Sequence, residues 1–254
     1  MPSANSKTVL NFSVTDEQLV DEFNRIAGMA KAPSELSKIF KVALGDKTLF
    51  PNINLSGGPA TYSHYLEKWI KGYVDAYNNR PSCRSASPKS ACSDPAIRLI
   101  VQTITNADDS LACDQERHHN LFMSAENIQG NLLEEYITLN VANLGWLWCQ
   151  GNVLRAVDFC TCDGSSLLQV KNKSNTENSS SSAIRTGTQI KKWYRLGTRK
   201  VNGLPVPVYR WDELNSVING KQSKNGIECS MNEEAYRKFL ISVTKLNRSI
   251  ITDK

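Results

Sequence analysis

The stretch Arg155–Lys173, "RAVDFCTCDGSSLLQVKNK", decides how the rest of the chain is read. Two apolar runs flank Asp163-Gly164, a turn signal, so they form the arms of a β-hairpin. A two-residue loop, or a symmetric four-residue one, pairs Phe159 with Leu168, Asp158 with Gln169 and Ala156 with Lys171. A one-residue bulge would break that register. Opposed residues share a face, as do residues two apart on one strand. Asp158, Gln169 and Lys171 therefore project from one side of the sheet, and Val157, Phe159, Leu168 and Val170 from the other. Polar groups in arms otherwise built like core call for a chemical reason.

Around this hairpin the chain reads as α/β. Toward the N-terminus, "TDEQLVDEFNRIAGMA" opens on a capping box, Thr15 with Gln18, and spaces Leu19, Phe23 and Ile26 helically. "SELSKIFKVAL" and "TYSHYLEKWIKGYVDAY" continue the pattern; the stripe Tyr62, Tyr65, Leu66, Trp69, Ile70 and Tyr73 is a helix's core face rather than a base-stacking surface. Asp94 caps a helix carrying Pro95 in its first position. "SAENIQGNLLEEYITLNVANLG" is a helix closing near Gly145, and "WLWCQ" a short strand. The run "SNTENSSSSAIRTGTQIKKWYRL" leads into a basic helix. "LPVPVYRW" is a strand whose prolines favour an edge or a strand start. A last helix, "SMNEEAYRKFLISVTKL", is capped by Ser230 with Glu233. The expected organisation is a mainly helical region over residues 1–120 and a mixed β-sheet flanked by helices over 121–254.

Composition narrows the function classes. The chain has 254 residues and a net charge of +5, unevenly spread. Residues 1–150 carry 13 Lys+Arg against 16 Asp+Glu, a net −3, whereas residues 151–254 carry 17 against 9, a net +8. The basic half begins where the hairpin begins, which suggests a polyanionic partner. No apolar run approaches a membrane span of roughly 18 residues, and no signal peptide is visible. Seven scattered cysteines fit a reducing cytoplasm better than a disulfide framework. Cys160 and Cys162 are too sparse for zinc, and "NLSGGPATY" lacks the lysine of a phosphate-binding loop.

A carboxylate, a second oxygen ligand and a lysine on one sheet face suit metal-assisted phosphodiester hydrolysis. Mg²⁺ takes hard oxygen ligands and keeps waters, so Asp158 and Gln169 could serve as ligands. Lys171 would orient or deprotonate the attacking water. In "GNLLEEYI" the spacing Gly130, Glu134, Ile137, Val141 adds a helix acid, with Gly130 allowing close backbone approach. Glu134 is the preferred acid and Glu135, read as a solvated neighbour, the alternative. The bland reading is an exposed polar sheet face without chemistry.

The order helix glutamate, strand aspartate, hairpin, then x-V-K resembles the PD-(D/E)xK nuclease superfamily, particularly type II restriction endonucleases. The stretch from about Ala125 to Leu196 is similar to the SinI-like enzymes, which cut within GG(A/T)CC. The resemblance implies a restriction-endonuclease-like core, Mg²⁺ as cofactor, double-stranded DNA as substrate, a homodimer, and a cognate DNA methyltransferase. It makes Glu134 the helix acid, Asp158 a metal ligand, Gln169 the second acidic position and Lys171 the catalytic lysine. Val157 stands where the name-giving proline would be, which removes no chemistry. Gln169 replaces an acid, which leaves the number of metal ions open.

The segment after Lys171 then becomes the expected DNA contact. Asn172, Asn178, Ser180, Ser181, Ser182 and Thr186 supply short donors and acceptors, and Lys173 is a further DNA-contact candidate. Arg185, Lys191, Lys192 and Arg195 supply charge, with Arg185 the candidate guanine reader and the lysines phosphate contacts. Competing readings are a DNA-binding protein without catalysis and a shape-reading nuclease such as a junction resolvase.

Overall fold

The computed structural model describes residues 5–85, 94–173, 187–220 and 228–251. The chain forms two compact units interleaved in sequence: residues 1–79 with 136–233, and residues 80–135 with 234–254.

The first unit is built on a five-stranded sheet: β3 (Trp146–Trp148), β4 (Phe159–Thr161), β5 (Leu167–Lys173), β6 (Ile190–Val201) and β7 (Leu204–Tyr209), in that spatial order. Only β5 and β6 are parallel; the other neighbours are antiparallel. The edge strand β7 carries Pro205 and Pro207, opposite Lys200 and Thr198, where a missing N–H costs least. A second, two-stranded antiparallel sheet pairs β1 (Ser6–Lys7) with β2 (Ile53–Asn54).

Three N-terminal helices, α1 (Asp16–Met29), α2 (Ser34–Gly45) and α3 (Tyr62–Asn78), belong to the same unit. Thr15 and Gln18 form the expected capping box on α1. Tyr65, Leu66, Trp69, Ile70 and Tyr73 of α3 are all buried, so the aromatic stripe is core. With Phe23, Phe40 and Phe50 they join Leu147, Cys149, Val157 and Cys160 in one apolar cluster that covers one face of the sheet. On its other face the Trp193 and Trp211 rings lie 5.3 Å apart, Trp211 heading helix α6 (Trp211–Asn219). Both faces of the central strands are thus covered, the burial expected of an α/β sheet.

In the second unit α4 (Pro95–Thr105), capped by Asp94 through Ala96 N (2.9 Å), precedes α5 (Asp109–Val141). That helix begins well before the stretch from Ser124 that its periodicity marks, and ends at a turn closing on Gly145 (φ +75°). Leu132, Val243 and Ile250 form the unit's small core with Ile128, Phe239 and Leu240. The closing helix α7 (Glu233–Leu246) starts at Glu233, three residues later than the expected Ser230 cap. Glu233 itself bonds Arg195 and Trp211.

The largest correction is in β6. The segment "TQIKKWYRL", expected to be a helix, is a strand. Ile190, Trp193 and Tyr194 fit a helical stripe, but Ile190, Lys192, Tyr194 and Leu196 equally fit alternation. Pairing with β5 on one side and β7 on the other selects the strand.

Candidate active site on strands β4 to β6

The hairpin register matches the expectation in its first part: Phe159 opposes Leu168 and Cys160 opposes Leu167. The loop is the four-residue form, Thr161 N donating to Ser166 O (3.0 Å), with Gly164 at φ +69°. Beyond Phe159 the two arms part. Asp158 N also donates to Leu168 O (2.9 Å), so two residues lie against one, as in a bulge. Ala156 adopts φ +60° and the chain turns away, so the pairs Asp158–Gln169 and Ala156–Lys171 do not form in the observed ladder.

The turn gives Asp158 its position. Its N–H holds Leu168 O, and its own carbonyl accepts from Cys149 N (2.8 Å). Its carboxylate oxygen Oδ2 accepts from Val170 N (2.7 Å), taking a donor that a longer β4 would have used. Three hydrogen bonds to the segments on either side hold this residue, carboxylate included, against β5, a preorganised arrangement for binding charge.

Gln169 is 5% exposed, and its Oε1 has no hydrogen-bond partner among the described residues. A buried amide oxygen left unpaired costs about 1–3 kcal/mol, so its retention calls for an electrophilic partner such as a cation. Lys171, half-buried, lies two residues on and shares the Gln169 face. Register with β6 sets Lys192 beside Gln169 and Tyr194 beside Lys171. The sequence reading missed Tyr194, and period-two spacing in "IKKWYRL" is the signal that finds it.

Among the described residues no group of three or more His, Cys, Asp or Glu is arranged to hold a metal. One carboxylate and one amide oxygen remain a set that Mg²⁺ accepts, since it fills its sphere with water and substrate oxygens. The residues present therefore fit a weakly held Mg²⁺.

The remaining candidates sort by position. Glu134 lies half-buried on α5, within the second compact unit. Glu135, expected to be solvated, is instead 4% exposed; its carboxylate accepts from Ser82 N (2.8 Å) and Ser82 Oγ (2.6 Å). Gly130 makes no close approach, because a Cβ built there would meet nothing within 4 Å.

Asn172 Oδ1 accepts from Arg195 Nε (3.0 Å), and Arg195 Nη1 donates to both oxygens of Glu233 (2.7 Å each). Arg195 is 8% exposed, so its charge is spent inside the protein. Lys173 ends β5, half-buried. Lys191 and Lys192 point to opposite sheet faces, being successive strand residues. Asn178, Ser180, Ser181, Ser182, Arg185 and Thr186 lie outside the described residues.

A cleft of about 960 Å³ in the same unit opens between α2 and the hairpin loop. It is lined by Lys41, Arg155, Thr188 and Gln189, with Asp46 and Asp163. Hydrogen bonds from Thr161 and Ser165 hold the Asp163 carboxyl down to about 2, so it stays ionised, tied to its own loop. Lys41 and Arg155 are exposed.

A five-stranded mixed sheet flanked by helices is consistent with a restriction-endonuclease-like core. Comparison with known proteins gives the family. The SinI restriction endonuclease family matches residues 67–240. The type II restriction enzyme Eco47I of Escherichia coli is 35% identical over 178 residues, 68% of this chain and 71% of that protein. The type II restriction enzyme SinI of Salmonella infantis is 29% identical over 221 residues, 82% of this chain and 87% of its own. The chain belongs to the SinI restriction endonuclease family, a class of type II site-specific deoxyribonucleases. No described helix is long and apolar enough to cross a membrane.

Proposed function

We propose that the chain hydrolyses phosphodiester bonds of double-stranded DNA with Mg²⁺ at the Asp158, Gln169 and Lys171 face, as a homodimer paired with a cognate methyltransferase. The buried Gln169 Oε1, without a partner among the described residues, on the same strand whose Val170 N–H anchors the Asp158 carboxylate, is the observation that carries this reading. Asp158 and Gln169 would hold the ion. When bound, Mg²⁺ neutralises charge on the phosphate and acidifies water. Lys171 orients the attacking water through Nζ and takes part in its proton transfer. Asp158 keeps its geometry through the cycle because Val170 N–H fixes it, and Lys192 supplies positive charge to the same face. The resemblance adds Glu134 as a further acid, and Lys173, Lys191, Arg185 and the serine run as DNA contacts. Lys41 and Arg155 join them as contacts to phosphate.

The resemblance to SinI-like enzymes supports GG(A/T)CC as the recognition sequence. The experiment is a Mg²⁺ titration of cleavage on duplexes carrying GGACC or GGTCC, beside a duplex carrying GGGCC. Cleavage confined to the first two, and lost in Asp158→Ala and Lys171→Ala, is expected. Equal cleavage of all three would overturn the recognition sequence, and retained cleavage by either variant would overturn the site.

A further inference from the structure

Helix α4 is eleven residues long, amphipathic, and buries none of them. Ile97, Ile100 and Ile104 follow helical spacing on one stripe and are 61%, 57% and 76% exposed. On α5, Leu111 and Phe122 are 51% and 76% exposed. They stand eleven residues apart, about three turns, and so share a face.

Between the two helices runs an apolar groove of about 510 Å³, lined by Ile97 and Val101 on one side and Ala112, Gln115 and His119 on the other. Arg98 ties the helices together across it, reaching Glu116 at 3.1 Å and Asp109 at 3.6 Å. The pair is thus fixed as a platform whose apolar stripe remains open.

We infer that this α4–α5 face is where a second copy of the chain docks. The inference deepens the proposed function, since it rests on the nuclease acting as a homodimer. At these exposures the five apolar side chains present on the order of 600 Å². A standard interface needs roughly 800 Å² per partner, of which about 56–65% is apolar. The stripe therefore supplies the apolar share of a stable dimer, and single patches of this size on a monomer mark interaction sites.

Other occupants fit less well. Residues 94–123 carry two arginines against five acidic residues, so DNA phosphates are repelled from this face. The chain segments outside the described residues read "MPSA", "ASPKSACS", "SNTENSSSSAIRT", "KQSKNGI" and "TDK". They are too polar to cover five large apolar side chains. A second copy brings the matching stripe, and the rim charges are paired within the chain, Arg98 with Asp109 and Glu116 and Arg117 with Asp114, so they stay compensated in a two-fold contact. It also brings the second catalytic face that cutting both strands of a duplex demands.

The test is sedimentation velocity of the full chain across a micromolar range, with Ile100→Glu/Ile104→Glu and, on the other helix, Phe122→Glu. Wild type is expected to be dimeric. Each variant should weaken the dimer about 100-fold or more while keeping the wild-type circular dichroism spectrum and melting temperature. Should the double variant fail to fold, Phe122→Glu decides. On supercoiled plasmid in Mg²⁺, a monomerised variant should accumulate nicked circles before linear product. A monomeric wild type, or folded variants that stay dimeric, would overturn the inference. Asp158→Ala separates the two claims: it should lose cleavage and remain dimeric. If wild type cuts no DNA but the α4 variants still dissociate it, the nuclease reading fails and the interface stands.

Discussion

Replacing Arg195 by alanine should destabilise the fold rather than merely loosen its hold on DNA. The guanidinium is almost enclosed, its side chain 10% exposed, against a Glu233 side chain 16% exposed. Nη1 donates to both Glu233 oxygens at 2.7 Å and Nε to Asn172 Oδ1 at 3.0 Å. Truncation removes these three hydrogen bonds, while the one Glu233 accepts from Trp211 Nε1 (3.0 Å) stays. Removing one member of a buried pair costs about 3–5 kcal/mol, because the other charge is left uncompensated. Against a typical total stability of about 5–15 kcal/mol, that is a large fraction. Urea unfolding of Arg195→Ala should show the loss as a lower midpoint at unchanged slope. Arg195→Lys should recover only part, since an ammonium cannot span Asn172 and Glu233 as the planar fork does. DNA binding in Ca²⁺, at temperatures where the variant remains folded, should be changed little. A variant as stable as wild type that binds DNA more weakly, with a salt slope reduced by about one, would refute the structural role and return Arg195 to the DNA contacts.

Other perturbations test other links. Gln169→Glu should lower the Mg²⁺ midpoint of cleavage by adding charge to the ligand set; an unchanged midpoint would mean that Gln169 does not touch the metal. Gly151→Ala should destabilise the junction of α3 with the segment before β4: Gly151 has φ +72° and its Cβ would lie 2.4 Å from Gly72 O. The backbone conformation alone costs about 1–2 kcal/mol, and thermal melting would show no loss if the approach were loose. Glu22 bonds Arg25 and Ser63, which lowers its carboxyl from 4.5 to about 2. With a depressed folded value, its contribution is fully present above pH 4.5 and lost as pH falls toward 2; Ser63→Ala should narrow that window in acid-unfolding curves.

How far the sequence carries the fold can be judged at particular residues. The α1 cap, the aromatic core of α3, the short strand Trp146–Trp148 and the proline-bearing edge strand are all local signals, and all hold. The hairpin register is local too, and holds as far as Phe159. It fails at Asp158 because the carboxylate itself takes the next ladder donor, Val170 N–H, which no periodicity reveals. The strand β6 is hidden for a different reason. Its polar and apolar residues satisfy both periods, and only its neighbours β5 and β7 decide between them. Glu135 and Glu233 escape sequence reasoning because their partners, Ser82 and Arg195, are distant in sequence. Gln169 and Lys171 are legible as a pair, since alternation along β5 puts them on one face; Asp158 is not placed by alternation, because the ladder that would set it opposite Gln169 ends at Phe159.

The central claim is that chemistry resides on this face, and Lys171 is its most direct point of attack. Long duplex DNA is digested with wild type and with Lys171→Ala in Mg²⁺, after binding of both has been matched in Ca²⁺. The account predicts discrete fragments from wild type, and from Lys171→Ala unchanged binding with cleavage slower by at least about 100-fold. Discrete fragments from Lys171→Ala at the wild-type rate would contradict it.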